Sequence, residues 1–213
     1  MKITKIGHCC LLIEIEGKRI LTDPGKLTTA QNTLSNIDLI LITHEHSDHL
    51  HTESLVEILR LNPEAKVVTN SSVGKVLSEL NMTHTILEGN DEEVVLGILL
   101  EAFDGPHAEI YENFGQVQNT GYFIAEKLFY PGDSYIKPGK NVPVLALPVS
   151  GPWCKSSDAI TYALQVKPEK AFPVHDGLLN ENGIMVTHGV FEKNLADNGI
   201  EFVRMVEGET KGF

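Results

Sequence analysis

Between positions 44 and 49 the chain reads His-Glu-His-Ser-Asp-His, five metal-capable or ionisable side chains within six residues. They follow residues 38–43 (DLILIT), a nearly continuous apolar run of the kind expected for a strand buried on both faces. Side chains placed directly after such a strand lie in a loop at the sheet edge, where clefts form. In an extended segment residues two apart project to the same side, so His44 and His46 point together, while Asp48 and His49 fall where the chain turns toward a helix. That turn has room for two neighbouring metal sites. Neutral imidazole and carboxylate donors suit zinc, manganese, iron or nickel better than calcium. The competing reading, a solvated loop that happens to be rich in histidine, is disfavoured by the regular alternation.

The elements that must position this run are legible in outline. Residues 1–6, 10–15 and 19–22 are strand-like, with Glu16-Gly17-Lys18 as the turn between the last two, which predicts a meander. Leu55, Val56, Ile58, Leu59 and Leu61 recur at helical spacing until Asn62-Pro63 ends the segment. Residues 66–69 read as a strand, and Ser71 or Ser72 caps a helix with Val73, Val76, Leu77 and Leu80 on its apolar face. Consecutive β segments follow at 85–87, 92–96, 98–103, 121–125 and 128–130. A buried strand at 144–147, a helix at 157–166 stopped by Pro168, and a strand at 170–174 ending at His175 come next. A last helix at 188–198, closed by Gly199, precedes a strand at 201–205. Residues 177–187 stay unassigned, and loops of that length often carry function. Mixed strands with helices toward both ends of the sequence predict an α+β fold in which two sheets pack together under outer helices. With no linker or repeat, residues 1–213 are read as a single domain.

A chain of 213 residues is long enough to bury a large core without disulfides. Its 42% hydrophobic and 22% charged residues are ordinary globular values, and ten Pro with eighteen Gly indicate many turns. The formal net charge of −12 opposes a polyphosphate backbone, so no nucleic-acid partner is expected. Bound metal ions are absent from that count, and their charge would draw anions to the site. Cys9 and Cys10 are adjacent in an apolar run and Cys154 is remote, which is no disulfide framework and fits a reducing compartment. No signal core and no stretch of about 18 apolar residues is present, so the expectation is a cytoplasmic protein without a membrane partner.

His44-x-His46-x-Asp48-His49 after an apolar strand resembles the signature of the metallo-β-lactamase-like superfamily. Later elements match in that superfamily's order: His107 in Asp-Gly-Pro-His, Asp133 in Pro131-Gly-Asp-Ser, and His175 in Phe172-Pro-Val-His. More narrowly, Ile6-Gly7-His8, Ile20-Leu-Thr-Asp23-Pro24, Gly121-Tyr-Phe-Ile and Pro-Gly-Asp-Ser are similar to the branch of ascorbate-phosphate lactonase-like proteins and small hydrolases. The resemblance implies a four-layer αββα sandwich of two mixed sheets flanked by helices, holding two divalent metal ions, zinc above all, with manganese, iron or nickel as alternatives. It implies that His44, His46 and His107 hold one ion, that Asp48, His49 and His175 hold the other, and that Asp133 bridges both. A carboxylate is suited to that role because its two oxygens can each meet a metal. The chemistry implied is attack by a metal-activated water on a small ester, lactone or phosphoester, with Asp48 and Asp133 as the catalytic carboxylates. The expected partner is then a small molecule, anionic ones included, and a homo-oligomer remains compatible with the sequence.

The remaining candidates have two readings each. His8 is either a substrate or supporting contact or a buried histidine satisfied by backbone. Asp23 either orients the histidine loop or is a turn residue before Pro24. His84 is the substitute for His107 as ligand and otherwise structural, and His51 and His188 each open a helix. Trp153 lines a pocket mouth or is core. The three cysteines are read as packed thiols, since nothing in the sequence pairs them with a base. Three other functions compete with the hydrolase: a non-catalytic metal-binding sensor, a phosphodiesterase or nuclease of the same superfamily, and a di-iron redox protein. The last is disfavoured because that branch carries Glu where this chain has His46.

Overall fold

A computed structural model describes residues 1–213. In chain order the strands are β1 (Lys2–Gly7), β2 (Cys10–Ile15), β3 (Lys18–Thr22), β4 (Leu39–Leu41), β5 (Lys66–Thr69), β6 (Thr85–Ile86) and β7 (Glu92–Val95), then β8 (Ile98–Pro106), β9 (Gln118–Ile124), β10 (Leu128–Tyr130), β11 (Val144–Pro148), β12 (Lys170–Val174), β13 (Glu201–Phe202) and β14 (Thr210–Gly212). The helices are α1 (Thr52–Leu61), α2 (Ser71–Glu79), α3 (Ser156–Val166) and α4 (Glu181–Ala196). The chain divides into two compact units, residues 1–88 with 206–213, and residues 89–205.

The first unit holds a seven-stranded mixed sheet in the order β14-β1-β2-β3-β4-β5-β6. From β14 to β3 the neighbours are antiparallel. Glu16 and Gly17, both at positive φ (51° and 77°), make the tight turn joining β2 to β3, the backbone pair that matches strand twist in a two-residue hairpin. From β3 to β6 the strands are parallel. Parallel neighbours need a crossover, which α1 and α2 provide from β4 to β6 and residues 23–38, with a short 3-10 turn at Ala30–Thr33, provide from β3 to β4. Leu55 and Ile58 of α1 and Val73 and Leu77 of α2 join Leu12, Leu21, Ile40, Ile42 and Val67 in one buried cluster.

The second unit repeats the plan with a sheet in the order β13-β12-β11-β10-β9-β8-β7. It is antiparallel from β7 to β10 and parallel from β10 to β13. Phe123, Phe129, Leu145 and Leu147 of its strands pack with Ala159, Tyr162 and Ala163 of α3 and Phe191 and Leu195 of α4. The α+β class with two mixed sheets is therefore present.

Several boundaries differ from the sequence-based expectation, each for a local reason. The strand expected at 38–43 is only Leu39–Leu41, because Asp38 accepts the Arg19 N–H at 2.8 Å and Thr43 is engaged by Asp23. Asn70, not Ser71 or Ser72, caps α2, accepting the Val73 N–H at 3.0 Å. Helix α4 begins at Glu181, capped by Asn180, so part of the segment left unassigned is helical. Its first turns contain Gly183, Val186 and Thr187, residues of weak helix propensity that mask the signal. The strand expected at 201–205 stops at Phe202, and β14 was not anticipated, since Thr-Lys-Gly carries no apolar pattern and forms by pairing with β1. No helix is long and apolar enough to cross a membrane.

Candidate metal centre

In the first unit the segment after β4 turns sharply, with His49 N–H and Leu50 N–H both donating to the His46 carbonyl at 2.8 Å. His44 and His49 are fully buried, and their ring centroids lie 4.0 Å apart, with His46 4.8 Å from His44. Asp23 holds this loop from below. Its carboxylate accepts Thr43 N–H and Thr43 Oγ1–H, each at 2.8 Å, and His49 Nδ1–H at 2.7 Å. Because the Thr43 hydroxyl gives its proton to Asp23, its oxygen accepts from His44 Nδ1 at 3.0 Å. In the neutral rings of both His44 and His49 the lone pair is thereby on Nε2. This is the support that ligating histidines receive, their other nitrogen tied to a carboxylate or hydroxyl.

His8 occupies the tight turn between β1 and β2 at φ 50°, with Nε2 3.4 Å from Asp48 Oδ2. Burial lowers its pKa, yet the Cys9 and Asp48 side chains beside it outweigh that effect and push it up to about 10. The surroundings thus favour positive charge.

In the second unit β8 runs on to Pro106 and delivers His107, whose Nδ1–H donates to the Ala108 carbonyl at 2.7 Å. The Nε2 of this ring, carrying the lone pair in its neutral form, faces Asp133 Oδ2 at 3.4 Å. His175, at the end of β12 with φ 63°, brings its Nε2 to 2.9 Å from the same oxygen. The His107 Nε2 lone pair turned toward this buried carboxylate is repulsive unless a proton or a cation lies between them. The donor set therefore suits a divalent cation. Asn119 of β9 accepts the Asp133 N–H at 2.9 Å and donates to the Pro131 carbonyl at 2.8 Å, fixing the turn that presents Asp133.

Three residues take places the sequence did not reveal. Trp153 donates its indole N–H to Asp133 Oδ2 at 3.0 Å and stacks edge-on against His107 and His175, a contact set by the 149–153 turn. Gly151 permits that turn, since a Cβ there would meet the His175 ring at 3.0 Å. Cys9 is buried, with its sulfur, a His8 nitrogen and a His49 nitrogen all within 4.8 Å of one another, so a base does stand beside this thiol. One expectation is corrected. His188 does not open a helix but lies inside α4, buried, with Nε2 2.9 Å from Asp176 Oδ2. His84 Nδ1 donates to the Met82 carbonyl at 2.9 Å, which gives it a structural place beside α2. His51 does stand at the N-cap of α1.

A family model described as a beta-lactamase superfamily domain matches residues 2–175. Protein Rv0786c of Mycobacterium tuberculosis is 31% identical over 194 residues, covering 89% of this chain and 90% of its own length. The UPF0173 metal-dependent hydrolase Ta0764 of Thermoplasma acidophilum is 26% identical over 192 residues, covering 82% and 83%. Among solved structures, Igni18, a metallo hydrolase from Ignicoccus hospitalis, superposes with a TM-score of 0.77 at 21% identity, over 100% of this chain and 98% of that one.

Proposed function

Because this chain belongs to the beta-lactamase superfamily, we propose that it is a hydrolase in which His44, His46 and His107 hold one divalent ion, Asp48, His49 and His175 hold a second, and Asp133 serves both. The supporting observation is the tautomer set. The Nδ1 atoms of His44, His49 and His107 are tied to Thr43, Asp23 and the Ala108 carbonyl, which makes Nε2 the lone-pair nitrogen of each neutral ring, the atom type a cation takes. Zinc is the ion that best suits such donors, and when bound it supplies Lewis acidity and lowers the pKa of water from 15.7 toward about 7.

The chain's own residues do the rest. Trp153 Nε1–H holds Asp133 Oδ2 in one orientation, and the Asn119 clamp holds its backbone. Asp48, about one quarter exposed, is placed to take the proton released when water attacks, with His8 Nε2 3.4 Å from its Oδ2 to steady the carboxylate. Two cavities flank the Pro106-His107-Ala108 segment. One of about 340 Å³ is lined by Pro106, Ala108, Tyr135 and Ile136, and one of about 510 Å³ by His107, Glu109, Glu112 and Gln116. These are volumes for a small molecule. The substrate proposed is therefore small, and the ester, lactone or phosphoester class comes from the chemistry of a metal-activated water and not from these volumes.

The test measures metal content and turnover on a panel of such substrates, for wild type and Asp133→Ala. Chelator-sensitive turnover of the wild type and loss of both metal and turnover in the variant are expected. A variant that keeps both removes the mechanism, and a metal-loaded wild type without turnover on any member leaves a metal binder instead of an enzyme.

A further inference from the structure

Cys9 and Cys10 are adjacent, but Cys9 belongs to the turn before β2 and Cys10 is the first residue of that strand, and their side chains enter different surroundings. Cys10 enters the apolar cluster with Leu12, Leu21 and Ile40, where burial pushes its thiol pKa up. The Cys9 sulfur instead lies among the donor atoms of His8 and His49, all within 4.8 Å of one another. That spacing is close to what ligands of one ion require, given bonds of about 2.0 to 2.3 Å to nitrogen and sulfur. The placement is built in. The Thr22 hydroxyl donates to the Cys9 carbonyl at 3.0 Å, while the next residue, Asp23, fixes the His49 ring through Nδ1 at 2.7 Å. Two consecutive residues of β3 and its exit thus set the position of both the thiol and the imidazole.

We propose that Cys9 supplies a thiolate to the divalent ion held by His49. The inference rests on the metal-dependent reading above and adds a donor to it. On binding, the Cys9 S–H bond breaks, the proton leaves to solvent, and the sulfur lone pair forms the bond to the metal. A thiolate makes this site softer than imidazole and carboxylate alone, so zinc, cobalt and cadmium are favoured over manganese and magnesium.

Cobalt(II) titrated into the full-length chain provides the test, read by absorption in the near-ultraviolet region of sulfur-to-cobalt charge transfer. Wild type, Cys10→Ala and Cys154→Ser are expected to develop the band. Cys9→Ser is expected to lose it while still binding cobalt, with affinity weakened about tenfold or more. X-ray absorption on the zinc-loaded wild type covers the case in which Cys9→Ser does not fold, and a sulfur neighbour at about 2.3 Å is expected there. Cobalt bound without the band, a band persisting in Cys9→Ser, or zinc without a sulfur neighbour overturns the inference and leaves the proposed hydrolase site intact. Failure of the wild type to bind cobalt or zinc at all removes both.

Discussion

Asp23 is the residue that ties the histidine loop to the end of β3. It is fully buried, takes a left-handed φ of 36°, and accepts three hydrogen bonds, from Thr43 N–H, Thr43 Oγ1–H and His49 Nδ1–H. A backbone held in that region costs free energy that surrounding contacts must offset, and such strain gathers at functional positions. Asp23→Asn preserves the shape but replaces one acceptor oxygen by an amide that donates, so either Thr43 or His49 loses its partner. Loss of such a supporting partner typically lowers metal affinity by about 10- to 100-fold. Competition against a chromophoric chelator measures this, and an unchanged affinity would mean that His49 is oriented by something else. Trp153 plays the matching part for Asp133 in the second unit. Trp153→Phe keeps a smaller aromatic ring and deletes the N–H, and because the bond is to a buried carboxylate a stability loss of at least about 1.5 to 3 kcal/mol is expected from urea unfolding, the lost ring volume adding to it. The Asp23 role was open to sequence reading because a histidine ligand loop needs a supporting carboxylate and Asp23 closes an apolar strand ahead of it. The Trp153 role was not, since a lone Trp twenty positions from Asp133 carries no spacing signal.

At the level of elements, the 23–25 segment works as a clamp on the histidine loop. Lys26 N–H donates to the Ser47 carbonyl at 2.9 Å and His51 N–H to the Pro24 carbonyl at 3.1 Å, so the two stretches run against each other through backbone. Gly25 makes that approach possible, because a Cβ there would sit 1.7 Å from the Asp48 carbonyl oxygen and 2.1 Å from its carbon. Neither atom is a side-chain end that can swing away. Gly25→Ala must therefore displace the loop carrying Asp48 and His49, and we predict a destabilisation on the order of 3 kcal/mol together with reduced metal content. A variant with wild-type unfolding midpoint and metal stoichiometry would show that the loop has slack. Helix α4 offers a milder test, since Asn180→Ala removes only the cap on Gly183 N–H and should cost about 1 kcal/mol. Elements with strong apolar periodicity, α1, α2 and β12 among them, were readable because burial dictates the pattern. The start of α4 and the existence of β14 were not, because a side-chain cap and pairing with distant β1 decide them.

For the molecule as a whole, the formal charge of −12 takes on meaning once buried ionisable groups are considered. Asp23 and Asp133 are almost fully buried, and His44, His49, His107 and His175 are buried with them. Burying charges and polar rings without compensating cations is costly, and two divalent ions would bring −12 to −8 while offsetting that cost. Ions that bind the folded chain and not the unfolded one add RT ln(1 + [M]/Kd) to its stability, about 2.7 kcal/mol per site at a hundredfold excess over Kd. In a domain of roughly this length 1 kcal/mol moves Tm by about 2 to 4 °C, so zinc should raise the melting temperature by about 5 to 10 °C per occupied site. The comparison is a thermal melt of chelator-treated protein against the same sample restored with zinc and, separately, with magnesium, whose preference for octahedral oxygen sets fits imidazole donors poorly. Zinc is expected to stabilise and magnesium to leave the curve where the chelator put it. Equal responses to both ions would assign the shift to general screening of an acidic chain, and no response to zinc would show that these buried carboxylates and imidazoles are satisfied without a metal.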